Sequence, residues 1–360
     1  MLEQGIADRF HLGAQLFVWR AGEVLLDAGL GLAGPNAPMT TGSMTLWRSA
    51  GKPLTAVAVA RLQQRGLLAF DDPVAAHIPA FASHGKGNIT VRHILTHTAG
   101  LAGLVGGARS WDERIDRICN ARPQRGWTPG ERAGYDPYAG WFILGELVRR
   151  LDGRPIDRFL GEAMLEPTGL AGVRLGIAPL EREKLGSRVA EMYKRSDGGR
   201  LERADYLNDD AAVSEVDPGA NVRGPASGLG RFYAAMLEAC SGGGGAGALL
   251  EPEAALNMVD RHRVGMHDRT FGATIDWGLG FMLNSRHHAG DHPYDFGPHA
   301  SPEAFGHGGR QCACGFADPA CQLAVAWVVN GMPGEPRHQQ RNRAINTAVY
   351  EDLGLARQVA

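Results

Sequence analysis

Strand-like runs lie at the two ends of this 360-residue chain, and helical patterns fill the stretch between them. That arrangement constrains the fold more than any other feature. Ala14 to Arg20 (AQLFVWR) is apolar and rich in β-branched and aromatic side chains, which predicts a strand. Ala21-Gly22-Glu23 turns it, and Val24 to Leu32 returns as the second arm of a hairpin. Late in the chain, Trp277 to Leu283, Cys314 to Ala317 and Leu323 to Asn330 are further short strand-like runs, the last two separated by Asp318-Pro319. After Ser49 the apolar period lengthens. Leu54, Val57, Ala58 and Leu62 recur at helical spacing, with Pro53 tolerated in the first turn and Gly66 placed to end the helix. Val91 to Leu95, Trp141 to Arg150 and Leu229 to Ala239 also read as helix. Arg337 to Leu353 closes the chain as an amphipathic helix, with Ile345, Val349 and Leu353 on one face. The economical solution is a mixed α/β (α+β) fold: a sheet built from both termini with a mainly helical domain inserted. The expected division is 1–60 with 250–360 for the sheet domain and 61–249 for the helical one, with the active site at their interface.

Composition excludes several classes. Lys and Arg total 37 against 39 Asp and Glu, so there is no basic excess to drive nucleic-acid binding. Apolar residues at 44% and charged residues at 21% are ordinary for a folded domain, which excludes wholesale disorder. No segment approaches the roughly 18 apolar residues of a membrane helix. The first residues, MLEQGIADRFHLGAQ, lack a basic start followed by an apolar core, so no signal peptide is expected. Five cysteines in a chain this long are no disulfide framework. These features together predict a cytoplasmic enzyme with free thiols. Ser241 to Gly247 (SGGGGAG) is low in complexity and reads as an exposed loop tip.

Ser49-Ala50-Gly51-Lys52 carries the sharpest chemical signal. A helix beginning near Ser49 would set Ser49 and Lys52 on one face. Serine is a poor nucleophile until a base takes its proton, and a desolvated lysine can be that base. As a bare pattern S-x-x-K also arises from a capping serine followed by a surface lysine.

The context is more specific. LWRSAGKPLTAVAVARLQQRGLLAFDDPVAAHIPAF, ITVRHILTHTAGL, WTPGERAGYDPYAGWFILGELV, GLGRFYAAML, WGLGFML and AFGHGGRQCACGFADP with LAVAWVVNG follow in order from about residue 14 to 353. The set resembles the serine β-lactamase and penicillin-binding-protein superfamily, closest to class C β-lactamases and the related family VIII esterases and acyltransferases. The resemblance implies an antiparallel sheet flanked by helices and a serine hydrolase acting through an acyl-enzyme. It assigns Ser49 as nucleophile, Lys52 as its partner and Tyr135 as the tyrosine of a Y-x-N element. His307-Gly308-Gly309 matches the K-T-G-like strand element, and the N–H groups of Ser49 and Arg310 would form the oxyanion hole.

Two departures bear on substrate. Pro137 stands where the β-lactamases carry asparagine, and His307 where they carry lysine, which argues for ester over β-lactam hydrolysis. The expected partner is a small ester or amide, with an alcohol or amine acceptor if the enzyme transfers its acyl group; no nucleic acid, membrane, cofactor or metal is expected. A β-lactamase or D-amino-peptidase activity, or a catalytically silent binding protein, are the remaining alternatives. His97 reads as structural, bonding a nearby carbonyl or hydroxyl, and Asp71-Asp72-Pro73 as a turn. Cys312, Cys314 and Cys321 read as packing residues beneath a strand. His262, His267, His287, His288, His292 and His299 match no zinc spacing and suggest a long loop roofing the site.

Overall fold

The computed structural model describes residues 1–101, 110–170, 172–243 and 248–356. Seven strands make the main sheet: β1 (Gly13–Arg20), β2 (Glu23–Gly34), β3 (Ala37–Pro38), β4 (Met282–Leu283), β5 (Phe305–Gly309), β6 (Ala313–Asp318) and β7 (Leu323–Val329). Their spatial order is β4-β5-β6-β7-β1-β2-β3, antiparallel throughout. β1 lies between β7 and β2, with Ala14 opposite Val329 and Arg20 opposite Leu323. The sheet is therefore closed across the two termini, as the strand pattern requires.

β6 and β7 are buried at every position, which explains the continuous run LAVAWVV in place of alternation. Helices cover each face. Four longer helices matter here: α1 (Lys52–Gln64), α2 (Ala139–Asp152), α3 (Ala226–Cys240) and α4 (Glu335–Asp352). On one face α3 closes onto the sheet through glycines: a Cβ at Gly230 would stand 2.1 Å from Phe17, and one at Gly315 would stand 2.5 Å from Tyr233. Residues from the middle of the chain thus also cover the sheet. On the other face α4 is pinned by Trp327 Nε1 donating to Asn346 at 2.9 Å and Tyr350 donating to Asp318 at 2.8 Å.

α1 is buried from Lys52 to Ala60 and packs against α2. Its small side chains, Ala56, Ala58 and Ala60, let neighbours approach from all sides. The expected helices appear at Val91–Leu95, in α2, in α3 and in α4. One expected strand shrinks. Of Trp277 to Leu283, only Met282–Leu283 joins the sheet. Gly278 to Gly280 instead makes a tight turn, with Gly280 at φ +82° and its α-carbon so near Ala56 that a Cβ would lie at 2.4 Å. Ser241 to Gly243 is described, whereas the rest of the glycine tract, 244–247, lies outside the described residues. No described helix is long and apolar enough to cross a membrane.

Candidate active site

Ser49 lies in a 3₁₀ turn, Arg48–Gly51, that leads directly into α1. The α-helix proper starts at Lys52, three residues later than the spacing alone suggests. The tighter turn strengthens the pairing, because a 3₁₀ helix eclipses residues i and i+3. Lys52 Nζ stands 3.3 Å from Ser49 Oγ. The turn is held from below. The short strand Thr45–Leu46 pairs with Val222–Gly224, and Trp47 donates its backbone N–H to Val222 at 2.9 Å. Arg48 adopts φ +53°, a left-handed conformation uncommon for arginine. Gly51 must be glycine, since a Cβ would meet Val222 at 2.4 Å.

Lys52 is fully buried. It donates to the carbonyls of Gly219 at 2.5 Å and Pro137 at 2.8 Å. A neutral amine has two N–H donors and one lone pair, so these carbonyls use both donors and leave the lone pair for the Ser49 hydroxyl. Burial is the main force lowering the Lys52 pKa, opposed by Asp217 and Asp136 and reinforced by Arg48. The Tyr135 and Trp141 rings, 5.3 and 5.1 Å from Nζ, receive the charge when it forms.

Tyr135 comes from the segment entering α2. Asp136 fixes that entry by accepting from the N–H groups of Tyr138, Ala139 and Gly140 at 2.9, 3.0 and 2.7 Å. The Tyr135 N–H is taken by Asp268 at 3.1 Å. The Tyr135 hydroxyl is buried within reach of the Ser49 side chain but makes no hydrogen bond of good geometry. Burial raises its pKa, so it stays a phenol at neutral pH. With the phenol protonated at rest, the Lys52 lone pair is the basic atom beside Ser49.

His307, Gly308 and Gly309 form the end of β5. Gly309 runs so close to Trp47 that a Cβ would stand 2.0 Å from its carbonyl oxygen. That contact brings Arg310 to the serine turn. His307 is buried and its pKa falls to about 3, chiefly through desolvation. Its Nδ1 meets the Gly308 carbonyl at 2.8 Å and therefore carries the proton, while Nε2 has no partner. His307 is thus neutral at neutral pH, unlike the lysine of the β-lactamases.

Ser49, Tyr135, His307, Gly308 and Arg310 line one cavity of about 520 Å³. Pro137, Phe271, Met282, Pro293 and Tyr294 give it an apolar wall. Pro293, Tyr294, Thr270 and Phe271 come from the histidine-rich stretch, but none of its six histidines lines the cavity. Asp276, His287 and His288 do converge, with ligand atoms within 4.8 Å of one another. Arg261 already occupies Asp276 at 2.5 Å, and that cation opposes a metal ion there. Asp71 and Asp72 serve the turn, pairing with Arg92 and accepting from Ala69. Cys312 and Cys314 are buried beside and within β6, with thiols pushed up to about 12 by desolvation; Cys321 is half-buried beyond it.

Sequence reading missed four contributors. The carbonyls of Pro137 and Gly219, and the carboxylates of Asp136 and Asp217, act on Lys52. A backbone carbonyl leaves no residue signature, although Asp217-Pro218-Gly219 does carry a turn signal. His97 is structural as expected, but its partner is neither carbonyl nor hydroxyl: Nδ1 accepts from the Asp136 N–H at 3.0 Å, and its ring packs 4.5 Å from that of Tyr135.

A serine beside a buried amine, at the edge of an antiparallel sheet, is the working part of the active-site-serine hydrolases, and this chain is an enzyme of that class. It belongs to the Beta-lactamase family, whose profile matches residues 1–350. It is 27% identical over 347 residues to the esterase/beta-lactamase LipL of Mycobacterium tuberculosis, covering 88% of this chain and 77% of that one. Esterase EstB of Burkholderia gladioli is 29% identical over 317 residues, covering 78% and 77%. Among solved structures, a family VIII carboxylesterase superposes with a TM-score of 0.78 at 25% identity, covering 96% of this chain and 95% of that one.

Proposed function

We propose that the enzyme hydrolyses carboxylic esters through an acyl-enzyme on Ser49. The observation that carries this reading is the Lys52 amine, 3.3 Å from Ser49 Oγ, with two carbonyls taking its other donors. Ser49 Oγ attacks the ester carbonyl as its proton passes to Nζ. The N–H groups of Ser49 and Arg310 hold the oxyanion; one such donor is typically worth about 10²–10³ in rate. As the C–O bond breaks, the proton reaches the leaving alcohol from Nζ by way of the Tyr135 hydroxyl. Water then attacks the acyl carbon as its proton passes to Lys52; the acyl–Oγ bond breaks, Lys52 returns that proton to Ser49 Oγ, and the carboxylic acid leaves with the amine neutral again. Neutral His307 favours an ester carbonyl without a carboxylate beside it. The names of LipL and EstB support an ester substrate. The proposed sheet domain, 1–60 with 250–360, meets the mainly helical 61–249 at this site, with α3 of the latter lying on the sheet. Five free cysteines fit the reducing cytoplasm.

Transfer to an alcohol or amine shares every step up to the acyl-enzyme. Intact-mass analysis across a panel of esters and β-lactams tests the nucleophile. An acyl adduct on the wild type, absent in Ser49→Ala, is the expected result, and retained turnover in Ser49→Ala overturns the assignment.

A further inference from the structure

The cavity next to the Ser49 pocket has a volume of about 940 Å³ and shares Arg48 and Arg310 with it. Six cationic side chains line it, among them Arg48, Arg223, Arg310 and Arg337, against three carboxylates. Two of those carboxylates are engaged elsewhere: Glu215 pairs with Arg114 at 2.6 Å, and Asp217 faces the Lys52 amine.

Arg223 is the informative residue. It is 1% exposed. Its Nε donates to the Asn221 side chain at 3.1 Å and its Nη2 to the Leu207 carbonyl at 2.8 Å. Neither partner carries charge, and Nη1 is buried with no partner among the described residues. The equally buried Arg263, by contrast, is neutralised by Asp268 at 3.1 Å. A buried guanidinium without a counter-charge is costly, and an anion in the adjoining cavity lowers that cost through its field, although Nη1 itself is sealed from the cavity. Burial, and after it Arg182, disfavours the Arg223 charge. Arg48 and Arg223 line the same cavity, where a counter-ion from outside the chain would offset their charge.

We propose that this cavity is an anion subsite. It takes a carboxylate or phosphate carried by the ester substrate, while the apolar part of that substrate fills the Ser49 pocket. The inference rests on the ester-hydrolase reading above. Guanidinium forks match the paired oxygens of carboxylate and phosphate alike. Arg48 and Arg310 stand where the two cavities meet, and Arg223 and Arg337 line only the larger one, so the anionic end is held on that side.

The test uses three matched aryl esters whose acyl chains end in a methyl group, a carboxylate or a phosphate. The readout is the ratio of kcat/KM for each charged ester to that for the neutral one. In the wild type at least one ratio should reach about tenfold, a modest return for charge-assisted hydrogen bonds. Which ratio is higher identifies the anion. Arg223→Gln and Arg337→Gln should each lower that ratio several-fold. Arg337 is exposed, so its variant decides the matter if Arg223→Gln fails to fold. Direct titration of glutarate and inorganic phosphate into Ser49→Ala separates the two failures. Binding that weakens in Arg337→Gln supports the subsite even if no ester is hydrolysed. Ratios at or below one, ratios unchanged in both variants, or no binding of either anion would overturn it.

Discussion

Replacing Lys52 by methionine keeps most of the buried volume and removes the amine. Lys52 is the one described nitrogen within hydrogen-bond distance of Ser49 Oγ. A positioned general base typically contributes about 10²–10⁴ in rate. At 1.36 kcal/mol per decade, acylation should therefore slow by about 3–5 kcal/mol in barrier. Stability responds less. The carbonyls of Pro137 and Gly219 lose their donor, at about 1–3 kcal/mol each. The same substitution also removes a buried amine whose charged form is costly, as its lowered pKa reflects. These terms oppose, so we expect a folded protein with a Tm within about 5 °C of wild type. The assay is burst-phase acylation by a p-nitrophenyl ester across a pH series, with the Tm measured on the same preparations. Wild-type kcat/KM should rise with pH as Nζ loses its proton, with a midpoint well below the ~10.4 of a free lysine. That limb should vanish in Lys52→Met. Acylation within tenfold of wild type, or a wild-type midpoint at 10.4 or above, would refute the assignment of Lys52 as base.

Tyr135→Phe should slow acylation about 10²-fold while leaving the Tm unchanged or raised, because the hydroxyl it deletes is buried without a hydrogen bond. Combined with Lys52→Met the losses should be far from multiplicative, and a simple product of the two would show that the groups do not serve one relay. A small activated ester should acylate Ser49 at least about tenfold faster than a cephalosporin, needing only ~1.4 kcal/mol, since neutral His307 and Pro137 supply neither a cation nor a side-chain amide; equal second-order constants would contradict this. Stability should fall on acidification: burial lowers the pKa of His11 and His307 to about 3 and holds those of His97 and His338 well below 6.5. Between pH 6.5 and about 3 the unfolded chain then binds more protons, costing up to ~1.4 kcal/mol per pH unit per histidine. Urea midpoints at pH 7 and pH 5 measure it, and an equal or higher midpoint at pH 5 would contradict the burial argument.

The sequence by itself determined the elements that local chemistry controls. The hairpin of β1 and β2, the continuous apolar run of β7 and the period of α1 could each be read from about twenty residues or fewer. So could the Ser49 and Lys52 pair, because three residues in a tight turn must lie together whatever the rest of the chain does. Tyr135 and the His307 to Arg310 segment were reached through resemblance, since nothing local shows that residues so far apart in sequence share a cavity.

The tertiary structure decided what those residues can do. A lysine is an ammonium until burial makes the charge expensive, and that burial comes from α2 and the Pro218-Gly219 segment closing over α1. A histidine in sequence is ambiguous between acid and base, and only the packing around His307 makes it neutral. The strand pattern at Trp277 failed because Gly280 is needed for close approach to Ala56, a contact across more than two hundred residues. Covalent sequence fixes which groups are available. Desolvation and long-range contact fix their charge and partners, and these exist only once the chain has closed.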